Sequence, residues 1–215
     1  MKLYVFPPSP RAIKVLALSN YLQIECDLVV LDFFKGDQKS AAFATLNPNR
    51  RMPVLEDGGL VLWESNAIMF YLAAKKPQAR LWPTDVTTQA DVLRWLFWEG
   101  AHWVPACAPL ILEKIKKAAF GGGTPDEKVL ADGELATREH ARILDNHLRA
   151  HSWLAGDHVS IADFSLASWF VAATLAQYPI AEFDAIRRWY RDVRALPGWK
   201  ESIPHPIYPQ DVDVW

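Results

Sequence analysis

The chain of 215 residues is 51% hydrophobic and 22% charged, with a formal net charge of −2, which is ordinary for a globular protein and gives no electrostatic case for nucleic acid or an anionic membrane as partner. Its length allows one large or two small domains, at about 100 to 200 residues per domain, and we expect two. Cys26 and Cys107 form no CxxC pair and suggest a reducing compartment, and no run approaches the roughly 18 apolar residues of a membrane span, so a cytoplasmic protein is expected.

Residues 2–6 (KLYVF) read as a short strand that stops at Pro7 and Pro8, too brief for the core of a signal peptide. Ser9 then stands as an N-cap with Pro10 on the first helical position, where its fixed φ helps and its missing N–H is not needed. Ala12, Ile13, Val15, Leu16 and Leu18 predict a helix to about Leu22, and residues 26–31 (CDLVVL) a second strand. The opening is therefore βαβ, with parallel pairing and a right-handed crossover expected. A short helix is predicted over 41–46.

The stretch 47–71 (NPNRRMPVLEDGGLVLWESNAIMFY) is denser in signals. Pro53 sits at the entrance of a strand, Asp57, Gly58 and Gly59 supply a tight turn, and residues 60–62 return as the second strand of a hairpin. Glu64 and Ser65 open a helix whose apolar face carries Ala67, Ile68, Phe70, Tyr71 and Leu72. The order βαβ, α, ββα is the layout of a thioredoxin-like domain, predicted over 1–76. A linker over 77–87 and an all-helical domain over 88–215 follow.

In that second part a long helix from 88 to about 117 carries Gly100, Pro105 and Pro109, which predict a kink or break in its middle. The loop GGGTPD lacks the Lys and Ser/Thr of a phosphate loop, and a second helix is expected over 126–150. Ser160 to Asp163 (SIAD) form a capping box, with Val159 and Phe164 as its hydrophobic staple, opening a largely apolar helix to about Gln177. A last helix over 183–196 ends at Pro197 and Gly198, and a proline-containing tail begins at Ser202. Most of the ten tryptophans lie in this half, where core filling is the expected role of each. His140, His147 and His151 share one helix face, but no carboxylate or cysteine pattern accompanies them, so an exposed face and no metal site are expected.

Three pieces, PPSPRAIKV, NPNRRMPVLEDGGLVLWESNAI and LAGDHVSIADFSLA, resemble the cytosolic glutathione transferases in order and spacing across nearly the whole chain. The serine after the first strand is similar to that of the serine-type classes, phi and theta. The resemblance implies a thioredoxin-like domain followed by a helical bundle, a homodimer, and a detoxifying enzyme that adds glutathione thiolate to hydrophobic electrophiles. Glutathione is then a co-substrate, and no cofactor or metal is implied.

The chemistry of the matching residues suits that role. A thiol of pKa about 8.5 is mostly protonated at neutral pH, and the thiolate is the nucleophile, so catalysis means stabilising an anion. Ser9 is far too weak a base to take the proton, but its hydroxyl can donate to the sulfur at the positive end of a helix, with Arg11 adding positive potential. By resemblance, Met52–Pro53 is the cis-proline that offers the Met52 backbone to the cysteinyl unit. Glu64 takes the γ-glutamyl ammonium and Ser65 its carboxylate, while Lys39 and Arg51 fall where the glycine carboxylate is held. Arg51 departs from the usual Gln or Lys, and Gln38 stands where a histidine is often found. Trp98, His102 and Trp103 are candidates to line the pocket for the electrophile, since aromatic walls suit apolar substrates.

Two alternatives share this architecture: a non-catalytic glutathione-binding or protein-interaction module, and a glutathione-dependent peroxidase using the same serine. Exchange through an enzyme cysteine is disfavoured, because Ser9 holds the catalytic position and neither cysteine lies near it in sequence.

Overall fold

The computed structural model describes residues 1–33 and 35–204, so the tail expected from Ser202 lies mostly outside the described residues. Four strands form a mixed sheet in the order β2-β1-β3-β4, with β1 (Lys2–Val5), β2 (Asp27–Val30), β3 (Val54–Asp57) and β4 (Leu60–Trp63). β1 and β2 pair in parallel, and β1–β3 and β3–β4 are antiparallel. Alternation along the strands divides the sheet into two faces. Leu3, Val5 and Leu55 are fully buried under α1 (Pro10–Tyr21) and α3 (Ser65–Lys75) in the main core. On the other face Val54 and Met52 pack with Phe43 of α2 (Ala41–Leu46), against Tyr4, Phe6 and Leu31. The hairpin turns on Gly58 and Gly59, whose φ values of 56° and 90° are accessible at little cost only to glycine.

The long helix is not broken at Gly100, Pro105 or Pro109. α4 (Val86–Trp98), α5 (Val104–Ile111) and α6 (Lys117–Phe120) run on without interruption, joined by π turns at Glu99–Trp103 and Leu112–Lys116. A π turn shifts the backbone bond from i+4 to i+5, and the first one ends just before Pro105, which has no N–H to offer. The helix widens where a break was predicted.

α7 (Glu127–Ala150) is capped by Asp126, whose carboxylate accepts from the Lys128 and Val129 amides. The capping box at Ser160 is present and opens α8 (Ile161–Ala167). Its Asp163 is fully buried and accepts from the Leu154 and Ser160 amides, the Ser160 hydroxyl and the Trp189 indole at 2.9–3.0 Å, which ties α8 to α9 (Asp184–Arg194). α8 is shorter than expected. Past Ala167 the chain tightens into i+3 bonds, with the Trp169 amide on the Leu166 carbonyl, and enters a 3-10 turn at Phe170–Ala172.

Candidate active site

β1 and β3 bring the two halves of the site together, because Tyr4 pairs with Val54. The exit of β1 toward Ser9 thus lies beside the entrance of β3 at Pro53. Ser9 has the extended backbone of an N-cap (φ −76°, ψ 128°), and its carbonyl accepts from the Ala12 and Ile13 amides at 2.9 Å. Its half-buried hydroxyl makes no capping bond and so is free for another partner. Arg11 leans toward the helical half, with its guanidinium 5.1 Å from the centre of the Trp169 ring.

The loop before β3 is held by Asn47, which is 2% exposed. Its Nδ2 donates to the Arg51 carbonyl at 2.7 Å and its Oδ1 accepts the Asn49 amide at 2.9 Å. That clamp presents Met52, whose bond to Pro53 is cis and which stands outside the strand ladder starting at Val54. Arg51 is exposed. Gln38 is buried, its Oε1 without a partner, and Lys39 is exposed at the end of the 3-10 turn Asp37–Lys39.

Glu64 is the N-cap of α3 but uses no side-chain bond there, and its φ of 74° is a left-handed conformation costing of order 1–3 kcal/mol. Ser65 follows as the first residue of α3, 4% exposed, with the positive end of the helix around it. Directly behind, Asn66 is fixed by a buried network that the sequence reading missed. Lys14, 1% exposed, donates from Nζ to Asn66 Oδ1 at 2.7 Å, to Ser165 Oγ at 2.9 Å and to Glu99 Oε1 at 3.3 Å. Glu99 also accepts from Asn66 Nδ2 at 3.3 Å and from the Trp169 indole N–H. Burial, opposed by Glu99, pulls the Lys14 ammonium below the ordinary lysine range. The available signal was a lysine set among Ala12, Ile13 and Val15 on the most apolar part of α1.

The three residues of the expected aromatic wall differ in exposure. Trp103 is fully buried and stacks on Phe170 at 4.9 Å, so it is part of the helical core and cannot line an open pocket. Half-buried Trp98 and exposed His102, four positions apart on the helix, both stand beside His140 of α7, at 5.8 and 5.7 Å between ring centres. The histidine face is also less open than expected. His140 and His147 are half-buried against Trp98 and Trp95, and only His151 is exposed; among the described residues no group could hold a metal ion. Cys107 is buried, and its thiol is pushed up to about 12 by that burial.

The family model "Glutathione S-transferase, N-terminal domain" matches residues 1–74, and "Glutathione S-transferase, C-terminal domain" matches residues 127–192. A probable glutathione S-transferase GSTF2 of Oryza sativa subsp. japonica is 31% identical over 200 residues, covering 92% of this chain and 93% of the relative. The disulfide-bond oxidoreductase YfcG of Escherichia coli is 26% identical, with 92% of each chain covered. A theta class glutathione S-transferase from Xanthomonas axonopodis pv. citri, solved with glutathione bound, superimposes with a TM-score of 0.85 at 26% identity, covering 94% of this chain and 96% of that one. Sheet, helical half, cis Met52–Pro53 bond and matching length together lead to one conclusion: the chain belongs to the glutathione S-transferase family.

Proposed function

We propose that this enzyme is a glutathione transferase in which Ser9 stabilises the glutathione thiolate for attack on a small electrophile. The observation that carries the reading is the Ser9 hydroxyl, which sits at the positive end of α1 in N-cap geometry without being used as a cap. In the reaction the thiol proton leaves to solvent, Ser9 donates one hydrogen bond to the sulfur anion, and Arg11 adds positive potential. The Met52 backbone pairs with the cysteinyl unit like an added strand. Glu64 receives the ammonium, Ser65 and the α3 amides receive the γ-glutamyl carboxylate, and Lys39 and Arg51 hold the glycine carboxylate.

The test is Ser9→Ala. Loss of one hydrogen bond to a charged group, about 1.5–3 kcal/mol, lowers kcat/KM for an aryl halide roughly 10- to 150-fold, while retention on immobilised glutathione survives. Wild-type protein that is not retained would refute ligand and reaction together. Retention without turnover by the wild type would favour a binding module. The similarity to a disulfide oxidoreductase supports a second reading, reduction of peroxides or disulfides by the same Ser9-held thiolate, which a coupled glutathione-oxidation assay measures. A homodimer is supported by exposed apolar side chains on three neighbouring elements: Val61 and Trp63 of β4, Phe70 of α3, and Leu93 and Phe97 of α4. Sedimentation at micromolar concentration tests it.

A further inference from the structure

Trp169 is assigned no part in holding glutathione, yet it touches a cation of that site and the network behind it at once. It is 3% exposed, packed in the main core where the chain past α8 tightens into the 3-10 turn at Phe170–Ala172. On one face of its ring rests the guanidinium of exposed Arg11, 5.1 Å from the centre. At the ring edge the indole N–H donates to Glu99 Oε1, the same oxygen that accepts Lys14 Nζ at 3.3 Å. Glu99 Oε2 accepts Asn66 Nδ2 at 3.3 Å, and Asn66 follows Ser65 directly. Arg11 and Lys14 stand three positions apart on α1 and so share a side of that helix. One reaches the ring and the other the carboxylate of a single indole–carboxylate unit. Among the described residues the other side chains bonded into this network, Asn66 of α3 and Ser165 of α8, are neutral.

A cation that is to steady a thiolate has to be fixed in place without being neutralised. A carboxylate seated directly on Arg11 would fix it but would cancel much of its field at the sulfur. Arg11 instead forms no ion pair among the described residues and rests on an uncharged π face. Such a face favours a seated guanidinium roughly 2- to 5-fold at an exposed position. The Glu99 carboxylate is kept at the ring edge, where Lys14 matches its charge. Through the N–H bond that carboxylate polarises the indole and makes its face more attractive to a cation. The ring thus passes on the attraction of a buried acid while keeping the acid off the guanidinium.

We propose that Trp169 is a positioning residue of the reaction, which seats the Arg11 guanidinium with its charge uncancelled and thereby favours the thiolate form of bound glutathione. This rests on the transferase reading, in which Arg11, two residues after Ser9, supplies positive potential at the sulfur. The thiol proton still leaves to solvent and Ser9 still donates to the anion. Trp169 touches neither and acts only through Arg11.

The experiment follows kcat/KM for an aryl halide against pH at saturating glutathione, together with the ultraviolet absorbance of the bound thiolate, which reports ionisation without turnover. Trp169→Leu removes both face and N–H and is expected to raise the midpoint by about 0.3–0.7 pH unit, a 2- to 5-fold loss at neutral pH that vanishes well above the midpoint. Trp169→Phe keeps a ring face without the N–H and should fall between it and the wild type. Arg11→Ala should raise the midpoint at least as far, and adding Trp169→Leu to it should move the midpoint no further. Arg11→Lys, at an exposed position where folding is not at stake, keeps the charge but gives up planar stacking, so it should lie between Arg11→Ala and the wild type. An unchanged midpoint in Trp169→Leu or Arg11→Ala overturns the assignment. So does a loss of rate that is equal at every pH, or additive shifts in the double variant, since either would make Trp169 a packing residue alone. If the Trp169 variants do not fold, Arg11→Lys decides: the wild-type midpoint overturns the seat, and a raised one supports it. Wild type that forms no thiolate with glutathione and turns over no halide would instead remove the transferase reading.

Discussion

Lys14→Met isolates the charge that stitches the two halves of the molecule together. Methionine keeps the length of the apolar stem but removes three donations, to Asn66, Ser165 and Glu99, which come from α3, α8 and the first π turn. Glu99, 3% exposed, is left as a buried carboxylate supported, among the described residues, only by Asn66 and the Trp169 indole. Breaking one partner of a buried pair costs about 3–5 kcal/mol, mostly because the survivor keeps its desolvation penalty. Lys14→Met/Glu99→Leu removes both charges and should cost far less than the sum of the two single changes, leaving a coupling of about 2–3 kcal/mol. Urea unfolding at neutral pH, followed by far-UV and near-UV signals together, measures all four proteins and shows whether one transition persists. A cost below about 1 kcal/mol for Lys14→Met, or strict additivity in the double variant, would refute the account of the network as a buried, mutually dependent ion pair. Because Asn66 follows Ser65 directly, Lys14→Met should also raise KM for glutathione more than it lowers kcat.

Gly198→Ala should cost about 2–4 kcal/mol, since φ is 79° there and a Cβ would meet Asn20 Cβ at 2.5 Å, whereas Gly100→Ala, with open space around it, should be neutral or slightly stabilising in the same denaturant assay. Native protein should react with one equivalent of a thiol reagent at mildly alkaline pH, through half-buried Cys26, and release the second thiol only on unfolding, because Cys107 is buried with its pKa near 12. Burial chiefly, with His102 and His151 respectively, holds His140 and His147 below the usual value of 6.5. Between those lowered values and 6.5 the unfolded chain binds protons that the folded one refuses, so stability should fall as pH drops through that window. His140→Gln/His147→Gln should flatten the slope, and an unchanged slope would remove these two residues from the explanation.

What could be read from the chain alone was whatever is encoded within a few residues. Pro10 after Ser9, the Asp57-Gly58-Gly59 turn and the Ser160–Asp163 box each carry their own start or stop signal, and the sheet and most helices follow from them. Glu64 and Ser65 at the head of α3 were visible for the same reason. What could not be read depends on partners far apart in sequence. Lys14 meets residues 52, 85 and 151 positions away, and nothing local distinguishes it from a solvated lysine except the apolarity around it. Trp98, His102 and Trp103 were read from residue type, but their direction is set by α7 and Phe170 across the bundle.

The two π turns amount to a register change written into the long helix. Each widened turn accommodates about one residue more than an α turn, so every side chain beyond it is rotated by roughly 100° relative to a plain α-helix of the same sequence. Gly100 lies in the first turn, and Lys116 closes the second. Deleting one residue from the first turn would therefore return the helix to ordinary α geometry and leave the side chains of α4 and α5 facing as they do now. The same deletion made within α5 ahead of Cys107 would instead swing everything after it by roughly 100° about the axis and take Cys107 out of the core. The two widened turns are thus the places where this long helix can lose a single residue without turning the face that packs on α7.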